Sequence, residues 1–161
     1  MKLRRWIRHL SEALLALCLL GMVVAVFGNV VLRYGWGTGW VVSEELSRLL
    51  FVWLVAIAAT LAFAEGKHLG FDLLTARLNG AWAAALRWLS RALIALALYY
   101  LISGAWTQVE VGMNSHSPVM GYPLALAAGA IFVMGVCMAV LLVLEMVADW
   151  RGAAPPPGES A

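Results

Sequence analysis

The sequence predicts an all-α integral membrane protein of four transmembrane helices with short interfacial amphipathic segments. Three observations predict it. The 161 residues are 63% hydrophobic and 12% charged, whereas soluble domains are about half apolar and about a quarter charged. Four apolar runs, at 13–32, 46–64, 92–109 and 124–144, are long enough to cross roughly 30 Å of hydrocarbon, which takes about 20 helical residues. The basic residues gather in alternate connections, which is the signature of a multi-pass topology. Lipid cannot satisfy an open backbone, so the spans must be helices.

The first run follows Lys2, Arg4, Arg5 and Arg8. A secretory signal peptide also begins this way, but the apolar stretch outlasts a normal signal core and three further spans follow. Retention as the first anchor is the reading adopted. Leu3, Trp6, Ile7 and Leu10 form an i, i+3, i+4, i+7 stripe, which either lies along the inner leaflet before the chain turns into the membrane or simply anchors it there. The second run, with Arg48 in its first turn, leads to a connection carrying Lys67, Arg77, Arg87 and Arg91. A second stripe, Leu74, Leu78, Trp82, Ala85, Leu86 and Leu89, is interrupted at Asn79-Gly80, a turn signal. The connection between the third and fourth runs has Glu110 and no lysine or arginine.

By the positive-inside rule, the N-terminus, the middle connection and the C-terminus are cytoplasmic. The rings of Trp6, Trp82, Trp88 and Trp150 fall at inner boundaries, and those of Tyr34, Trp36, Trp40, Trp106 and Tyr122 at outer ones, the headgroup level that such rings favour. Trp53 is the exception, inside the second span. Residues 1–152 are read as one domain and 153–161, rich in proline, as a disordered tail. No internal repeat is visible, unlike many self-sufficient carriers.

Composition excludes several functions. A net charge of +2 is too small to indicate nucleic acid as a partner. Cys18 and Cys137 lie in apolar runs without metal-ligand spacing, so both are expected to be small packing residues and no metal or cofactor is expected.

The polar residues near the spans need a reason, because a charge at mid-membrane costs about 2.5–3.5 kcal/mol on insertion scales. Asn29 and Arg33 share one face at the outer end of the first helix. Glu44, Glu45 and Arg48 open the second helix, with Ser43 as the expected N-cap. Part of this pattern is explained by capping and a Glu44–Arg48 pair. Beyond that, Arg33 is expected to pair with Glu44 or Glu45, making a polar seam that meets another protein. His68 and Asp72 mark the inner end of the second helix, where His68 suits the negative pole of the helix dipole. Pro118, Gly121 and Pro123 shape the outer loop at 114–123, with Pro123 beginning the last helix.

These residues resemble the small membrane subunit of tripartite ATP-independent periplasmic (TRAP) transporters. The pattern runs from Asn29-Val30-Val31-Leu32-Arg33-Tyr34 through Trp40 to Glu44-Glu45-Leu46-Ser47-Arg48-Leu49-Leu50-Phe51-Val52-Trp53. It continues with Gly66-Lys67-His68-Leu69-Gly70-Phe71-Asp72 and ends at Ser117-Pro118 and Gly121-Tyr122-Pro123. It departs at Ala58, where the resemblance leads one to expect glycine. The resemblance implies an inner-membrane subunit with no enzyme site. Its partners would be a large multi-spanning subunit holding the substrate and sodium sites, and a periplasmic solute-binding protein for organic acids. The small subunit would brace the scaffold of the large one.

Rival readings are weaker. A respiratory anchor holding haem needs histidine within a span, and His9, His68 and His116 lie outside. A drug exporter needs a buried carboxylate, and an intramembrane protease needs a nucleophile–base pair or a metal motif.

Overall fold

Four helices account for nearly all the residues that the computed structural model describes, 2–64 and 81–150. They are α1 (Lys2–Trp36), α2 (Val42–Ala64), α3 (Ala81–Met113) and α4 (Ala125–Trp150). All four hold a span long and apolar enough to cross a membrane: Arg8–Trp36, Val42–Ala64, Trp88–Met113 and Ala125–Val147. The protein is therefore an all-α membrane protein of four spans.

The first helix is longer than the sequence reading required. Its 35 residues measure roughly 52 Å at 1.5 Å per residue, against roughly 30 Å of hydrocarbon. The stripe containing Trp6 and Leu10 belongs to this one continuous helix, so the chain makes no turn between an in-plane segment and the span. The reason is local: no proline or glycine interrupts residues 2–20, and Arg8 reaches Glu12 at 2.8 Å one turn on, a pairing that supports helix at that spacing. The second stripe divides. Ala85, Leu86 and Leu89 lie in α3, whereas Leu74 and Leu78 fall outside the described residues.

The helices do not close into a four-cornered bundle. Among the described residues, α1 packs only on α2, α2 packs also on α4, and α4 packs on α3, giving a row in the order α1–α2–α4–α3. Small residues let the backbones approach within each hairpin, as is usual where lipid offers no hydrophobic drive between helices. On α1 the buried positions are Cys18 and Ala25, and a Cβ at Gly21 would stand 3.1 Å from Leu50. Between α3 and α4, a Cβ at Gly135 would collide with Leu101 and Ile102. At the ends nearest the chain termini, Phe63, Leu98 and Leu142 form a buried apolar cluster drawn from α2, α3 and α4. Cys18 packs as expected, but Cys137 is exposed. Cys137 stands on the wall of an open groove lined also by Trp53 of α2 and by Ser11 and Leu14 of α1, because among the described residues α1 packs on α2 and not on α4.

Candidate functional site

The polar residues singled out in the sequence gather at the distal end of the row, away from both termini. α1 ends at Trp36, and the chain turns at Gly37, whose φ of 67° is left-handed, a conformation cheap only for glycine. The turn returns along α1, where Trp40 N donates to Asn29 Oδ1 at 2.7 Å. Asn29 thus closes the α1–α2 hairpin from the inside.

Ser43 has a different role from the N-cap expected of it. Its hydroxyl donates back to Trp40 O at 2.7 Å, and its own N–H donates to the same carbonyl at 3.0 Å. The helix has already started at Val42, so Ser43 lies inside the first turn rather than at its cap.

Between α3 and α4 the chain forms a small hairpin. Ser117 N donates to Tyr122 O at 2.9 Å and Leu124 N to Ser115 O at 2.9 Å, with His116 and Pro123 opposite each other. Pro118 enters the four-residue turn and Gly121 leaves it with φ 69°, closing a bond from Gly121 N to Ser117 O at 3.1 Å. Pro123 stands two residues before α4 rather than as its first residue. Its carbonyl accepts from Leu126 N at 3.0 Å.

The two hairpins are joined by Glu45. Its carboxylate accepts from the Ser117 hydroxyl, from Val119 N at 3.2 Å and from Met120 N at 3.0 Å. Two successive backbone N–H groups and a hydroxyl make a concavity suited to an anion, and here the anion comes from the chain itself. Hydrogen bonds to an ionised acceptor are the stronger class. Ser117 is buried, so Glu45 also supplies its hydroxyl with a partner.

This arrangement corrects the expected ion pairs. Among the described residues, Glu12 makes ion pairs with Arg8 and with His9, the latter at 3.3 Å. Arg33 pairs with neither Glu44 nor Glu45, and Glu44 does not pair with Arg48. The loop meets the demand of Glu45, while Arg33, Glu44 and Arg48 are exposed. Of the expected seam, two residues act in this distal clamp: Asn29 bonds Trp40 in the α1–α2 turn, and Glu45 ties α2 to the loop shaped by Pro118 and Gly121. His68 and Asp72 lie outside the described residues. The sequence reading missed Ser117 as a ligand of Glu45 and overlooked Glu12. The signal for the first was a tight Ser-Pro turn with unclaimed N–H groups beside a helix start with a surplus carboxylate.

The family model for tripartite ATP-independent periplasmic transporters, DctQ component, matches residues 22–152. That stretch contains the whole clamp. The chain belongs to the DctQ family of TRAP transporter components. Two proteins of Haemophilus influenzae named as TRAP transporter small permease proteins are similar along nearly their full length. One is 32% identical over 148 residues, covering 90% of this chain and 92% of the relative. The other is 24% identical over 151 residues, covering 94% and 92%. Membership of the DctQ family makes the chain a transporter component and sets aside the respiratory anchor.

Proposed function

We propose that this DctQ protein is the small membrane subunit of a sodium-coupled TRAP transporter for organic acids, and that it braces the stationary scaffold of a large multi-spanning subunit. One observation carries the bracing role. The helices form an open row, α1–α2–α4–α3, with its two hairpins tied together at the distal end by Glu45. A row has two broad apolar flanks and keeps little interior for itself: at most 17% of any span's apolar window is buried. Such a shape widens whatever it joins. A carrier domain that slides through the bilayer needs a wide fixed partner to slide against, and a stiff row of helices supplies one.

The chain sits in the bacterial inner membrane with Lys2, Arg4, Arg5 and Arg8 in the cytoplasm, following the positive-inside rule. The distal clamp and its hairpin then face the periplasm, on the side where a solute-binding protein delivers its cargo. Pro118, Val119 and Met120 are exposed there, so the binding protein is the second partner in this reading.

Reconstitution tests the proposal. The purified chain alone in liposomes is expected to move no carboxylate on a sodium gradient, while addition of the large subunit and the binding protein restores uptake. Uptake by the chain alone would overturn the accessory role.

A further inference from the structure

The two edges of the row differ in what they show to the membrane. On α1 the exposed positions at mid-span are apolar, among them Leu17, Leu20, Val23, Val24 and Phe27. On α3 the middle of the Trp88–Met113 span falls at Tyr99 and Tyr100, each 67% exposed. Ser103, one turn further, is exposed as well. Tyr100 and Ser103 fall about 60° apart on the helix, and Tyr99 extends the same exposed side. The two tyrosine rings meet edge to face with centroids 5.6 Å apart, which holds them as a pair.

Three other hydroxyls in the spans find partners in their own helix, whereas the buried Ser47 Oγ of α2 has none. Thr60 donates to Ala56 O, Ser90 to Leu86 O and Thr107 to Ser103 O, each four residues back. Among the described residues the hydroxyls of Tyr99, Tyr100 and Ser103 have no hydrogen-bond partner. A tyrosine hydroxyl stands too far from its own backbone for such a return bond. Hydrocarbon offers none, and an unpaired hydroxyl in an apolar medium is costly. Lipid therefore suits the α1 edge and does not suit the α3 edge.

The geometry points to α3 as the docking edge for the large permease subunit, through a membrane-spanning helix that presents hydrogen-bonding groups at mid-depth to Tyr99, Tyr100 and Ser103. This rests on the small-subunit reading above and adds which edge of the row makes the contact. The occupant is a helix because only helices and closed barrels present satisfied backbones within lipid. It is polar at one level because the three hydroxyls lie within about one helical turn of each other.

The test uses the full complex in native membranes. A photo-cross-linking residue is placed at Ser103 on α3 and, at similar depth, at Val23 on α1. The Ser103 position is expected to cross-link to the large subunit and the Val23 position is not. The combined variant Tyr99→Phe, Tyr100→Phe, Ser103→Ala keeps shape and removes only hydroxyls. Taking an average interhelical hydrogen bond in a membrane, its affinity for the large subunit should fall about 3-fold per hydroxyl and about 20-fold in total. Cross-linking from Val23 but not Ser103, or unchanged affinity of the combined variant, would overturn the assignment of α3 while the complex itself survives. A Ser103 cross-link to a second copy of this chain would overturn the choice of occupant. If the unmodified chain recovers no large subunit, the small-subunit reading fails and takes this inference with it.

Discussion

Gly112 is the position where the α3–α4 hairpin is most intolerant of a single carbon atom. A Cβ built there would stand 2.6 Å from Ala125 N, 2.9 Å from the Leu124 carbonyl carbon and 3.0 Å from Ala125 Cα. All three are backbone atoms, so no side-chain rotation relieves the clash. Restoring ordinary contact near 3.5 Å requires the two backbones to separate by roughly 0.9 Å. Overpacking of this kind costs about 1–3 kcal/mol, and a backbone clash belongs in the upper half of that range. Alanine returns at most about 1 kcal/mol through its better helix propensity. Gly112→Ala should therefore destabilise the subunit by about 1–2 kcal/mol. Gly28→Ala is the matched control, because nothing lies within 4 Å of a Cβ at that site. It should be neutral or stabilising by about 0.5–1 kcal/mol. Denaturant unfolding of the full chain in mild detergent, followed by helical circular dichroism, measures both. The separation should also loosen the hairpin that begins just beyond Gly112, raising reagent access at Val119. Equal stability of the two variants would show that α3 and α4 do not meet backbone to backbone at this crossing.

Other perturbations address the clamp. Glu45→Ala should free the 114–123 hairpin, so that a cysteine placed at Val119 reacts faster with an impermeant maleimide; an unchanged rate would remove Glu45 as the tie. Gly121→Ala forces a β-carbon into a left-handed conformation and should cost about 1–2 kcal/mol, read as a lower unfolding midpoint. Asn29→Ala removes the acceptor for Trp40 N and should cost about 0.5–1.5 kcal/mol, with faster hydrogen exchange at the Trp40 amide. Arg33→Ala should leave both the unfolding midpoint and the Val119 labelling rate unchanged, because Arg33 makes no ion pair with Glu44 or Glu45; a lower midpoint or faster labelling would return it to the clamp.

Much of this protein was legible as a string. A run of 20 apolar residues has one stable answer in lipid, so the number of spans followed from length and composition alone. The ordered polar marks, from Asn29 through Glu45 to Pro123, carried the family. Local signals also marked the shaped loop at 114–123 through Pro118, Gly121 and Pro123, because such conformations depend on a few adjacent residues.

The neighbours of each helix depended on the tertiary structure. In water an amphipathic stripe points to the core, but in a bilayer both the core and the surroundings are apolar, so periodicity no longer says which face is covered. The row α1–α2–α4–α3 and the exposed hydroxyls of Tyr99, Tyr100 and Ser103 appear only once the helices are packed. The same holds for Glu45. Its charge suggested Arg33 across the hairpin, yet its hydrogen-bond partners are a hydroxyl and two N–H groups more than seventy residues away. A turn creates that concavity only when its backbone is folded and set beside α2, and a one-dimensional pattern records neither step.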